Sequence, residues 1–88
     1  MLYEDQDTLA FLDVYPLSKG HTLVIPKVRV RQSEELSQRN SETLFKALWK
    51  LTRSVQLPMG TTSSLMGINN GSESGQEVPH VHVHIIPR

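Results

Sequence analysis

The sequence predicts a single α+β domain, a mainly antiparallel sheet of five strands with one main helix laid against it. Three observations carry this. Short apolar segments bounded by turn residues recur toward both ends of the chain, a stretch of helical period lies between them, and 88 residues leave room for one small core.

Each element follows in order. "LYED" and "TLAFLDV", parted by the polar Asp5-Gln6-Asp7, read as a hairpin. In the second of these strands Leu9, Phe11 and Asp13 share one face, and Ala10, Leu12 and Val14 share the other. "YPLSKG" is a loop, and "HTLVIP" is a nearly continuous apolar strand, buried on both faces or close to it and ended by Pro26. Ser33 to Leu36 reads as a helical turn, and the main helix begins between Ser37 and Ser41, where acceptable caps cluster. Leu44, Leu48, Leu51 and Val55 form its apolar stripe, flanked by Phe45 and Trp49, which are expected in the core or at a dimer interface. Pro58 and Gly60 stop the helix, "SSLMGIN" is the next strand, and "NNGSESGQ" is a polar loop. The last strand is expected to be "PHVHVHIIP" itself.

Composition narrows the function. Lys+Arg 9 against Asp+Glu 9 gives no net charge, so neither nucleic acid nor an anionic membrane is suggested as a partner. The absence of cysteine excludes disulfides and Cys-based zinc sites. No apolar run is long enough for a membrane span and the start has no signal-peptide pattern, so a soluble cytoplasmic protein is expected. Dimerisation would supplement so small a core.

Three of the chain's four histidines stand at alternate positions, His80, His82 and His84. On a strand they would form a row with neighbours about 7 Å apart, while Val81, Val83 and Ile85 face the core. The outer pair would then lie about 13 Å apart. Each nitrogen must come within about 2.1 Å of a shared zinc, so one straight strand converges poorly on a metal. Only Glu77 and His21 are plausible extra ligands, and no metal is expected. Chemistry is the better reading: neutral imidazole is a competent nucleophile near pH 7, and a neighbouring ring can act as donor or clamp. The Gly/Ser/Asn loop upstream, ending at Gly75-Gln76, suits an approaching phosphate.

Here the chain resembles the histidine triad (HIT) family, of the Hint and Fhit type. The resemblance rests on "HVHVHII", on the preceding G-Q-x-V, and on the distant P-x-x-x-G-H-x-L-V-I-P-K, and it covers nearly all of the chain outside the helix and Ser54 to Leu65. It implies a HIT-like fold forming a continuous sheet across a homodimer, a small-molecule nucleotide substrate and no cofactor. It also implies a hydrolase or transferase that cleaves at the α-phosphate of phosphoramidates or adenylates through a covalent nucleotidyl-histidine. Dinucleoside polyphosphate hydrolysis, as in the Fhit branch whose ending "HVHVHIIPR" closely resembles, is the alternative, followed by a nucleotide sensor with little turnover.

By motif position the resemblance makes His82 the nucleophile, His84 the donor to phosphate oxygens and His80 a group that orients the attack. Gln76 with Gly75 corresponds to the phosphate and leaving-group turn, Asn69 to another phosphate-side contact, and His21 to a fourth histidine beside the triad. Asp13 matches the aspartate that accepts from the ribose hydroxyls, with Phe11 and Val14 as candidate walls of the base pocket. Lys27, Arg29 and Arg31 are read as a solvated face. Two features depart from the family: many members carry a segment before "LYED", often with Cys-x-x-Cys, and another after the triad, so residues 1–88 read as a minimal or shortened domain. Glu77 stands where the Hint branch commonly has Ser or Thr, and is expected to turn away from phosphate or to tune the leaving group.

Overall fold

The computed structural model describes residues 2–88. Its elements run β1 (Tyr3–Glu4), β2 (Thr8–Leu12), β3 (Thr22–Pro26), α1 (Gln38–Gln56), β4 (Ser64–Gly67) and β5 (Val83–Pro87), with short 3-10 turns at Ser33–Glu35, Leu57–Met59 and Ser72–Ser74. The strands form one five-stranded sheet in the order β1-β2-β3-β5-β4, and every pairing is antiparallel. The α+β prediction holds, and no helix among the described residues is long and apolar enough to cross a membrane.

Helix α1 starts where the caps predicted. Ser37 Oγ accepts the Asn40 amide at 3.0 Å, a cap that contributes about 1 kcal/mol. Leu44, Ala47, Leu48, Leu51 and Val55 then fall on one side and are buried against the sheet. Phe45 and Trp49 are not part of that stripe. They sit on the helix's outer side, 64% and 73% exposed, so the core half of their expectation is corrected: one residue beyond Leu44 or Leu48 turns the side chain about 100° away from the sheet.

The sheet has unlike faces. The register Ala10↔Val24↔Val83 and Thr22↔Ile85 puts these residues under α1, where Ala10, Val24 and Ile85 are fully buried. The opposite face carries Leu9, Phe11, Leu23, Ile25 and His84, all only partly buried, so β3 is covered on one side alone.

The last strand is shorter than predicted. It begins at Val83, leaving His80 and His82 ahead of it in irregular chain. The reason lies across the sheet. β3 pairs with β5 only from Thr22 to Val24, and Pro26, the next residue on that side, has no amide to continue the ladder. The chain after Pro26 leaves the sheet and returns at Val30, whose carbonyl takes the Val81 amide at 2.8 Å. Val81, Val83 and Ile85 still face the core as expected, at 1%, 2% and 0% exposed.

Candidate active site

The histidines meet at the open face, each held differently. The His80 ring uses Nε2 on the Pro26 carbonyl at 2.9 Å, and its own carbonyl receives Nδ1 of His82 at 2.7 Å. His80 therefore touches the nucleophile candidate through its backbone, not through its imidazole. His84 faces His82 edge to face, with ring centroids 5.1 Å apart, and its Nδ1 lies 2.8 Å from Nε2 of His21. His21 is 2% exposed, and its Nδ1 accepts the Leu17 amide at 3.1 Å.

These partners assign the tautomers. An amide can only donate, so His21 Nδ1 carries no proton and Nε2 does; Nε2–H donates to His84 Nδ1, which puts the hydrogen of neutral His84 on Nε2. A carbonyl can only accept, so His82 carries its hydrogen on Nδ1 and presents a lone pair on Nε2. Adjacent rings thus offer opposite faces: an electron pair on His82 and a donor on His84. Neither Nε2 has a partner among the described residues. Burial of its ring, then the neighbouring His82 and His21, hold His84 below the ordinary imidazole range, against the pull of the Asp13 carboxylate. At neutral pH His84 is an uncharged donor.

Asp13 stands just past the end of β2. Its Oδ1 accepts the Tyr15 amide at 2.9 Å and its Oδ2 lies 3.6 Å from His21 Nε2. Asp13, His21 and His84 form the one group of potential metal ligands among the described residues, their donor atoms all within 4.8 Å. The tautomers argue against that use. The Leu17 amide fixes the proton of His21 on Nε2, the nitrogen a cation would need, so the group is built as a hydrogen-bond chain.

The glycine loop is closed on itself. The amides of Ser74, Gly75 and Gln76 all donate to carbonyls of the same loop, to Gly71 or Ser72, so the expected cradle of amides is already satisfied internally. Gly75 has φ +97°, which only glycine adopts without strain. Gln76 is saturated by backbone: Oε1 takes the Gly71 amide at 2.7 Å, and Nε2 donates to the carbonyls of Arg31 at 2.7 Å and Val78 at 2.9 Å. Gln76 pins this loop to the segment after β3, and a phosphate contact from its side chain requires releasing one of these bonds. Asn69 Nδ2 donates to the Ser74 carbonyl at 2.8 Å, and Glu77 is exposed.

Of the base-pocket candidates, Phe11 lies on the face of His84, joined to it through Leu23 in the register Phe11↔Leu23↔His84. Val14 is 82% exposed and stands outside the strand. Sequence reasoning missed a cleft on the other side of His84, about 240 Å³, to which Leu17, Leu65, Ile68 and Ile86 contribute beside Asn69. Its signal is the β4–β5 register, which sets Leu65 and Gly67 opposite Ile86 and His84; pairing partners are not written in either strand alone.

Fold and site define a small antiparallel α+β protein that presents a backbone-anchored imidazole with an open Nε2 beside a neutral imidazole donor on an open sheet face. The family model of the HIT domain matches residues 1–88, and the chain belongs to the HIT family. It is 41% identical over 90 residues to Protein hit of Bacillus subtilis, covering 99% of this chain and 60% of that protein. It is 36% identical to the bis(5'-nucleosyl)-tetraphosphatase (asymmetrical) of Schizosaccharomyces pombe, covering 100% of this chain and 48% of the relative. Among solved structures, a HIT family member from Bacillus subtilis superposes with a TM-score of 0.94 at 40% identity, covering 99% of this chain and 62% of the other. The chain thus spans about half to two thirds of the length of these relatives.

Proposed function

We propose that residues 1–88 carry the catalytic centre of a cytoplasmic nucleotide hydrolase that cleaves at the α-phosphate of nucleoside phosphoramidates or other adenylates. The observation that carries this reading is the 2.7 Å bond from His82 Nδ1 to the His80 carbonyl, which leaves the Nε2 lone pair open beside the Nε2–H of His84.

In the first step His82 Nε2 bonds to phosphorus, and the bond from phosphorus to the leaving amine or oxygen breaks, that atom keeping the electron pair and taking a proton from solvent. The Nδ1 hydrogen stays on the His80 carbonyl and supports the positive charge that develops on the ring. His84 donates Nε2–H to a phosphate oxygen whose charge grows in the transition state. In the second step water attacks phosphorus, the Nε2–P bond returns its electrons to His82, and the water's proton goes to solvent. In this reading Asp13 accepts from ribose hydroxyls through Oδ2, with Phe11 below the base, and Gly75, Gln76 and Asn69 border the phosphate. No step calls for a metal or cofactor.

The test is covalent trapping. Acid-quenched protein incubated with an adenosine phosphoramidate should carry one adenylyl group on His82 by mass spectrometry, and a nucleotide found on His80 or His84 would sink the assignment. Dinucleoside polyphosphate hydrolysis is the second reading, favoured by the name of the S. pombe relative. Comparing turnover of the two substrate classes separates them.

The same reading includes a homodimer. Phe45 and Trp49 on the outer side of α1, and the half-exposed Leu65 and Met66 on edge strand β4, are the surfaces a second copy would cover. Sedimentation at micromolar concentration should give the mass of two chains; a monomer would refute it.

A further inference from the structure

Asparagine is chemically labile, most of all where glycine follows it, and only one of the chain's asparagines meets that condition. Asn40 precedes Ser41 and Asn69 precedes Asn70, whereas Asn70 precedes Gly71. With no side chain on the following residue, the asparagine carboxamide is open to attack by the next backbone nitrogen. Asn70 is exposed, yet both reacting groups are already engaged. Asn70 Oδ1 accepts the Ser33 amide at 2.8 Å and Nδ2 donates to Glu34 Oε1 at 2.8 Å, across 37 and 36 positions of chain. The Gly71 amide donates to Gln76 Oε1 at 2.7 Å.

We propose that Asn70 is a deamidation site that the closed glycine loop protects through Gln76, and that its conversion to a carboxylate unfastens this loop from the turn at Ser33–Glu35. Neither half depends on what is hydrolysed at His82.

The Gly71 nitrogen gives its proton to hydroxide and attacks Asn70 Cγ. As the N–Cγ bond forms, the Cγ–Nδ2 bond breaks with its electrons on nitrogen, which takes a proton from water and departs as ammonia. Water then opens the cyclic imide at either carbonyl, leaving aspartate or isoaspartate at position 70. Before any of this the Gly71 amide must leave Gln76, and the carboxamide must leave Ser33 and Glu34. The reaction therefore draws only on the open fraction of the loop.

The product does not suit its neighbours. The Glu34 carboxylate takes one hydrogen bond from Asn70 and another from Gln32 Nε2 at 2.9 Å, and no cation pairs with it among the described residues. Donation from Asn70, then from its own backbone amide, holds Glu34 below the usual carboxylate range, so it is an anion at neutral pH. An ionised carboxylate at position 70 can only accept, so the bond to Glu34 is lost and a like charge stands in its place.

The first measurement is peptide mapping of the chain aged in mildly alkaline buffer, with and without urea. Acid in place of amide should accumulate at Asn70 and not at Asn40 or Asn69, at least roughly tenfold more slowly in the folded chain than in the unfolded one. Gln76→Ala should raise the folded rate by roughly fivefold. Equal folded and unfolded rates, or a Gln76→Ala rate that matches the folded parent, overturns the protection. The second measurement is amide exchange between residues 71 and 76. Asn70→Asp should speed it by roughly tenfold, and Asn70→Ala, which removes the bond without adding charge, by less. Combining Asn70→Asp with Glu34→Gln supplies a donor to the new carboxylate and should return exchange to the parent rate. Parent-like exchange in Asn70→Asp, or no rescue by Glu34→Gln, overturns the unfastening.

Discussion

The two faces of the sheet are built from the same strands and differ in nearly everything else. Under α1 the side chains of Ala10, Val24, Val83 and Ile85 are buried to 2% exposure or less. On the other face the alternate residues stay partly open and end in imidazoles linked by directed hydrogen bonds. A strand's period of two lets one sequence serve both tasks, with each valine or isoleucine between histidines anchoring the imidazoles beside it. Stability should therefore reside on one face and chemistry on the other, and substitutions can test whether the two separate.

The sharpest contrast pairs neighbours three residues apart. His82→Ala should reduce turnover by several orders of magnitude while thermal unfolding stays near that of the parent, because the ring is partly exposed and its single bond is to a carbonyl beside solvent. Ile85→Ala should do the reverse, lowering unfolding free energy by about 2 to 5 kcal/mol, since the side chain is 0% exposed in the centre of the core. Denaturant titrations and steady-state rates on both proteins decide it. If Ile85→Ala lost turnover while fully folded, or His82→Ala unfolded, the division between faces would fail.

A smaller effect is expected where the faces meet. Gln76→Ala leaves the Gly71 amide and the carbonyls of Arg31 and Val78 without their partner. The groups are near solvent, so the global cost should stay near 1 kcal/mol, with the loss concentrated in faster amide exchange between residues 71 and 78. Unchanged exchange there would mean that Gln76 does not hold the loop.

How much of this was legible in the sequence follows from whether the cause is local. The cap at Ser37 and the buried stripe of α1 depend on spacing within one element, and both were read correctly. The paired alternation of Val81, Val83 and Ile85 was equally visible. The fate of His80 was not, because the short ladder depends on Pro26, fifty-four positions away along the chain, lacking an amide at the point where β5 would continue. Phe45 and Trp49 misled for a related reason: apolar identity marks a surface to be covered, and only the fold says whether the cover is the sheet. The tautomers of His21 and His82 come from backbone groups of Leu17 and His80, which no side-chain pattern reports.

The finest test of the histidine face is the titration of His84. Its ring is held below the ordinary imidazole range by burial and by the neighbouring His82 and His21, so the folded chain resists protonation that the unfolded chain accepts near pH 6.5. The contribution to stability is accordingly complete above the unfolded value and is lost as pH falls toward the folded one. Asp13 works in the opposite direction, its carboxylate favouring the charged ring. Asp13→Asn removes that influence while keeping an oxygen for the Tyr15 amide, so the His84 midpoint should move further down, by less than the parent's own displacement. Ring proton shifts followed by NMR across the acid range measure both midpoints. A midpoint that stayed in place or rose in the variant would mean that the Asp13 carboxylate does not act on the His84 ring, and that the two groups behave independently rather than as one connected face.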